Sequence, residues 1–284
     1  MFVISGATGR VGGSATAQLL DRSAKVRTLV RDATRGDQWA TRGADLAVGD
    51  LGDPPFLIDA LFGADAFFAV LPVDVTTTDF HGDQRRLVAS ITQAVTRSEV
   101  AHVVLLSSHG AELASGTGPV QYLHQLEHEL LATGTQLTAI RSGYHQDNIG
   151  AAINVAQAQG ILPSFLPADT PYRMVATRDV GRLVADCLLS PADRSENIDI
   201  QGPHYTMNQV AQALGSALDQ TIQVVEIPPP GRIEALAQAG MSAPVAEAFS
   251  EMYGAFATGS FRPAGDRLVE GTTPIEQVMS ALTG

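Results

Sequence analysis

The sequence predicts an α/β fold, a doubly wound parallel sheet followed by a smaller mixed α/β lobe. Three observations carry this. Short apolar runs alternate with amphipathic helical stretches over the first 140 residues. Two of those runs, Ala66 to Leu71 (AFFAVL) and His102 to Leu106 (HVVLL), are almost continuously apolar, as strands buried on both faces are. A glycine-rich turn, Gly6 to Gly12 (GATGRVG), joins the first apolar run to the first helical stretch.

The elements follow in order. Phe2 to Ser5 reads as a strand and Val11 to Leu20 as a helix. Lys25 to Val30 is a second strand, Thr34 to Gly43 a short helix and Leu46 to Val48 a third strand. Pro54 to Phe62 is helical, with Asp53 as cap and Pro54 in the first turn. Ala66 to Leu71 is the fourth strand. Phe80 to Arg97 is a longer helix with Leu87, Ile91 and Val95 on one stripe. The fifth strand ends in Ser107-Ser108-His109, Pro119 to Thr133 is helical, and Leu137 to Arg141 is a sixth strand. Beyond Tyr144 the spacing is less regular. Helices are expected at Ile149 to Gln159, at Arg178 to Leu189 with Thr177 as cap, and at Met207 to Leu218. Strands are expected at Asn197 to Gln201 and Ile222 to Ile227, loops at Leu162-Pro163 and Leu166-Pro167, and mainly helix after Gly231. Residues 1–148 are read as the nucleotide-binding core. Residues 149–284 complete it and form the substrate lobe.

The 284 residues are 45% hydrophobic and 17% charged, ordinary for a globular enzyme. A net charge of −12 disfavours nucleic acid and anionic membranes as partners. No apolar run reaches the roughly 20 residues of a membrane span. The first strand begins at the chain start, leaving no room for a signal peptide. The lone Cys187 makes no internal disulfide and no cysteine-rich metal site. A cytoplasmic protein with a small-molecule substrate and no metal is expected. Oligomeric state is open, a homodimer being one option.

Strand, glycine turn and helix together are the context a dinucleotide phosphate site requires, the competing reading being a glycine-rich turn that binds nothing. The glycines admit close backbone approach, and the helix offers free N–H groups and its positive end. The spacing is G-x-x-G-x-x-G. In sheets of this kind the ligand lies at the C-terminal strand edges. Arg31 follows the second strand, where an acidic residue would hold the ribose of NAD. Its guanidinium suits a 2′-phosphate, so NADP(H) is favoured over NAD(H), with Arg10 and Arg35 adding charge. The competing reading makes Arg31 a solvated charge and lets Asp32 reach the ribose. Asp50 is read equally as an adenine acceptor or as a turn residue.

These motifs resemble those of the NmrA-like, atypical short-chain dehydrogenase/reductases. The matching segments are GATGRVG, VRTLVRD (Val26 to Asp32), Gly49 to Val70, HVVLLSS (His102 to Ser108), LTAIRSGYHQDNI (Leu137 to Ile149) and EGTTPIEQV (Glu270 to Val278). The resemblance implies a Rossmann fold preferring NADP(H). It implies that Gly6, Thr8, Gly9, Arg10, Val11 and Gly12 hold the pyrophosphate, Arg31 the 2′-phosphate, and Asp50 with Leu51 the adenine. Leu71, Pro72, Ser107 and Ser108 would line the nicotinamide side, and Tyr144 and Asn148 would sit by the nicotinamide or substrate. The family includes quinone reductases, phenylpropanoid reductases and redox-sensing regulators without obvious catalysis.

The chain departs from the family in one respect. All basic residues but Lys25 are arginine, so no Tyr-x-x-x-Lys exists, and Leu123 occupies the place of a lysine often found in the helix after the fifth strand. Tyr122, its neighbour, points about 100° away. Tyr144 and His109 are therefore the catalytic candidates. His81 is a weaker one. His124 and His128, one turn apart, are read as a helix-surface pair rather than metal ligands. Ser107-Ser108-His109 lacks the G-x-S-x-G elbow of a hydrolase. The expected activity is NADPH-dependent hydride transfer to a small, largely apolar quinone, enone or imine. The alternative is a non-catalytic NADP(H)-sensing regulator.

Overall fold

The computed structural model describes residues 1–284. The chain runs β1 (Phe2–Ile4), α1 (Arg10–Asp21), β2 (Val26–Val30), α2 (Asp37–Thr41), β3 (Asp45–Val48), α3 (Pro54–Leu61), β4 (Ala66–Ala69), α4 (Phe80–Ser98), β5 (His102–Ser108), α5 (Val120–Ala132) and β6 (Gln136–Ser142). It continues with β7 (Tyr144–His145), α6 (Ile153–Gln159), β8 (Ile161–Ser164), β9 (Tyr172–Val175), α7 (Thr177–Leu189), β10 (Glu196–Gln201), β11 (His204–Tyr205) and α8 (Met207–Leu218). The last elements are β12 (Gln223–Glu226), α9 (Arg232–Gln238), α10 (Ala243–Ala257), β13 (Arg267–Glu270) and α11 (Ile275–Thr283).

Eight strands form one parallel sheet in the order β13-β10-β6-β5-β4-β1-β2-β3. The order reverses between β1 and β4, and a crevice opens there at the C-terminal edge. Successive strand residues face opposite layers. Thus Phe67, Val103 and Leu105 pack under α3, α4 and α5 with Leu57, Ile91 and Leu126. Phe68 and Val104 pack on the other face under α1 and α7 with Leu19, Val180 and Val184. Both phenylalanines are fully buried, each contributing about 1.5–3 kcal/mol. Two faces buried at once explain why these strands are apolar throughout rather than alternating.

The second half adds β10 and β13 to the main sheet. It also forms a three-stranded sheet, β11-β9-β7, and a two-stranded one, β12-β8, over a third core that includes Met174, Val210, Leu214 and Met279. Four details differ from the sequence reading. Leu162-Pro163 lies within β8, where Pro163 is tolerated because the ribbon has only two strands. Thr177 is the first residue of α7 rather than its cap. Asp53 stands at the N-cap of α3 but makes no side-chain cap bond. β13, in the segment expected to be helical, is an edge strand too short and too polar to show a periodicity. No helix is long and apolar enough to cross a membrane.

Candidate functional site

The site begins where β1 ends. Ser5 donates its hydroxyl to Phe68 O and accepts from Val70 N–H, both at 2.9 Å, stapling β1 to β4 at the reversal point. The chain then turns through Gly6, whose φ of +65° favours glycine. Gly9 N–H closes the turn on Gly6 O at 2.8 Å. Gly12 is required for a different reason, since a Cβ there would lie 2.3 Å from Gly6 O. Gly9 caps α1 without a side chain, and Gly13 is the first residue whose N–H returns to Gly9 O. The N–H groups of Arg10, Val11 and Gly12 therefore have no partner within the helix. No acidic residue occupies the first turn. These donors and the positive helix end make a cradle for an anion that a side chain at Gly12 would close.

A cleft of about 960 Å³ runs along the strand edges from this cradle. It brings together Gly6, Thr8, Gly9, Arg10, Val11, Gly12, Arg31, Asp50, Leu51, Pro72 and Asn148 from the residues singled out in the sequence. Arg31 and Arg35 stand at its β2 end, joined by Arg86 of α4. Nothing in the local sequence marked Arg86, because α4 reaches the cleft only through the packing of the sheet. Asp32 is turned to another task. Its Oδ1 accepts from Thr34 N–H and Oγ1–H, both at 2.9 Å, which holds the carboxyl below its ordinary pKa. Asp32 does not line the cleft, so Arg31 is the charge presented there. Asp50 serves the turn, with Oδ1 on Gly52 N–H at 2.6 Å, and still borders the cleft.

Several expected residues lie elsewhere. Leu71 packs against the core under α4. Ser107 is buried and donates to Glu127 Oε1 at 2.5 Å, and Glu127 also takes a bidentate pair from Arg141. Ser108 donates to the carbonyl of its neighbour His109. His109 is buried, with Nε2 directed at Asp199 Oδ1 3.6 Å away. Burial lowers its pKa, partly opposed by Asp199. His81 Nδ1 meets the Tyr122 hydroxyl at 2.5 Å. The rings of His124 and His128 lie 4.1 Å apart and tilted by 41°, and each directs Nδ1 at a backbone carbonyl.

Tyr144 is displaced from the cleft by strand geometry. On the extended backbone of β7, Tyr144 and His145 face opposite ways. Tyr144 meets Phe256 of α10 at 5.8 Å, and burial raises its phenol pKa. His145 lines the cleft instead. Its Nε2 lies 2.8 Å from Ser142 Oγ, and burial depresses its pKa, partly opposed by Asp147. The signal for His145 was present, since any residue chosen in an extended pair names its neighbour for the opposite face.

Asp147 joins the cradle to the far wall. Its carboxylate accepts from Thr177 N–H at 2.8 Å and Thr177 Oγ1–H at 2.7 Å. Arg10 donates to the Asp147 carbonyl, with a further contact to the carboxylate at 3.8 Å. The glycine turn, the segment after β6 and the start of α7 are thereby fixed to one another.

Known proteins share this architecture. An NAD(P)H azoreductase of Xenophilus azovorans is 25% identical over 255 residues, 89% of this chain and 86% of the relative. A triphenylmethane reductase of Citrobacter sp., crystallised with NADP(H), superposes with a TM-score of 0.81 at 18% identity, covering 99% of this chain and 100% of that one. An NADPH-dependent quinone oxidoreductase of Escherichia coli, in complex with NADPH, gives 0.75 at 18% identity with both chains fully covered. The model of the NmrA-like family matches residues 1–282, from the first strand to the last helix, and the chain belongs to that family.

Proposed function

We propose that this protein is an NADPH-dependent oxidoreductase that transfers hydride to a small, largely apolar acceptor such as a quinone, enone or imine. The observation that carries the reading is the cradle at Gly9 to Gly12, continued by Arg31, Arg35 and Arg86, in a cleft from which Asp32 has been withdrawn. Backbone donors suit a pyrophosphate, and the guanidinium groups of Arg31 and Arg35 suit a 2′-phosphate, with Arg86 beside them paired to Asp83. Asp50 and Leu51 border the adenine end. The azoreductase, dye reductase and quinone oxidoreductase relatives support the same class of reaction. In this reading residues 1–148 hold the cofactor, and residues 149–284 complete the sheet and cover the acceptor.

Bound NADPH supplies the hydride. The chain's own work is to orient and to manage a proton. Pro72 and Leu106 give the hydride end apolar walls, and Asn148 offers an amide to the nicotinamide or the acceptor. His145 is the imidazole that lines the cleft, so the proton role passes to it from Tyr144 and His109. The reading takes the tautomer in which the Ser142 hydroxyl, 2.8 Å away, donates to Nε2 and the neutral ring carries its proton on Nδ1. It hydrogen-bonds the acceptor's oxygen or nitrogen there and relays one proton from water as hydride reaches carbon. Both hydrogens of the reduced product are then accounted for.

The test is titration with NADPH and NADH, followed by turnover against quinones, enones, imines and azo compounds. The expected result is tighter NADPH binding and acceptor-dependent loss of its absorbance. Tight binding with no turnover against any acceptor overturns the enzymatic reading in favour of an NADP(H)-sensing regulator.

A further inference from the structure

Gln84 is the most deeply buried polar side chain of the cleft, only 2% exposed. On α4 it takes a place in the inward stripe Phe80, Gln84, Val88, Ile91, Val95, where every other member is apolar. A leucine there would fill the stripe without an amide to satisfy. Gln84 Nε2 donates to Pro72 O at 2.9 Å. A carbonyl only accepts, so this bond sets which end of the amide is which and turns Oε1 away from Pro72. Oε1 accepts from no group of the protein, yet it is not among the polar atoms sealed from solvent. It opens on the cleft that Gln84 lines. The cleft thus holds an acceptor that is fixed in direction and left without a donor.

Its surroundings indicate the donor. Leu87, one turn further along α4, lies 3.9 Å from where a Cβ at Gly52 would stand. Ser90, a turn beyond, donates to Leu51 O at 2.6 Å. α4 is thereby fixed against the loop after β3, and Leu29, Leu51, Val73 and Leu87 give this part of the cleft apolar walls. Apolar walls with one neutral acceptor suit a flat base that carries an amino group. Asp50, the other acceptor nearby, already holds Gly52 N–H. We propose that Gln84 Oε1 accepts a hydrogen bond from the exocyclic amino group of the cofactor's adenine, and that Gln84 thereby selects the base. The proposal rests on the NADPH reading, which places the adenine at this end. With Nε2 pinned on Pro72 O, the amide does not turn over to present a donor. A base with a carbonyl in place of the amino group, such as hypoxanthine, sets two acceptors face to face and leaves both unpaired.

The test exchanges the base and leaves the nicotinamide and the phosphates as they are. Fluorescence titration compares NADPH with its hypoxanthine analogue, reduced nicotinamide hypoxanthine dinucleotide phosphate, on the wild type, Gln84→Met and Gln84→Glu. The wild type binds the adenine form about 10-fold or more tightly. Gln84→Met loses that preference, and Gln84→Glu, which keeps an acceptor, retains part of it. The preference is a ratio measured on one protein, so a general loosening of the cleft cancels from it. Equal binding of the two dinucleotides by the wild type overturns the proposal. A preference that survives in Gln84→Met, whatever the loss of affinity, does so too and leaves Gln84 as a support for Pro72 alone. The same comparison with NADH and its hypoxanthine analogue separates the two readings. NADH bound as tightly as NADPH removes the 2′-phosphate assignment and leaves the base preference standing. A wild type that binds none of the four dinucleotides overturns both.

Discussion

His145 Nε2 lies 2.8 Å from Ser142 Oγ across the end of β6, and the ring faces the cleft. The serine fixes the ring through Nε2, and in the proposed mechanism Nδ1 is the nitrogen that meets the acceptor. Replacing His145 with Asn is expected to lower kcat by about 100-fold, the lower range of acid–base contributions, with NADPH affinity kept within a few fold. Burial holds the imidazole below the ordinary 6.5, so it is neutral at pH 7. Asp147, whose charge partly opposes the burial, is itself contacted by Arg10. Activity should stay level above pH 6.5 and fall as acid protonates the ring. A pH–kcat profile unchanged by the substitution removes the role.

Arg31 carries the cofactor choice. Arg31→Asp exchanges attraction for repulsion at the 2′-phosphate and should cost NADPH binding about 2–4 kcal/mol while leaving NADH binding nearly as it was. Fluorescence titration with both cofactors measures it. Asp32→Asn should change neither affinity by more than a small factor, because its carboxyl serves Thr34. Equal losses for both cofactors in Arg31→Asp refute the assignment.

Wherever one apolar period spans an element, the sequence foretold it. The strands through Phe67-Phe68 and Val103-Val104-Leu105 were legible because burial on both faces leaves no polar residue to blur them. The glycine turn was legible because Gly6 and Gly12 answer steric demands that no other residue meets. The second lobe was not. β7 and β11 are two residues long, and no periodicity exists at that length. Site residues divided along the same line. Those held by the turn or by strand ends near β1 to β3 reach the cleft. Ser107 was misjudged because its partner Glu127 arrives from α5, and Tyr144 because one residue of register decides which layer a side chain enters.

Two buried histidines and the half-buried His145 make stability depend on pH. His102, His109 and His145 all have pKa values lowered mainly by burial. The unfolded chain therefore binds protons more readily than the folded one. Stability is at its full value above pH 6.5 and declines as the pH falls below it. Melting temperatures measured from pH 7.5 to 5 should show the decline. His102→Gln should flatten part of it, its ring being held inside the sheet by Thr138 Oγ1 at 3.0 Å.

Asp147 is the residue whose loss separates architecture from cofactor contact. It does not touch the sheet, yet it receives two bonds from Thr177 and steadies Arg10 through its own carbonyl and carboxylate. Gly150 leaves the room Arg10 needs, since a Cβ there would lie 2.5 Å from the guanidinium. In Asp147→Ala the Thr177 N–H, at the start of α7, loses its acceptor, which costs about 1–3 kcal/mol for a group shielded from water. Arg10 keeps the backbone carbonyl and loses only the outer carboxylate contact. The melting temperature should fall, and NADPH affinity should fall less than in Arg31→Asp. Thr177→Val, which removes the hydroxyl bond alone, should give about half the loss of stability. If Asp147→Ala melts like the wild type, the brace between the cradle and α7 is not holding the cleft, and the two walls must be fixed by core packing between α1 and α7 instead.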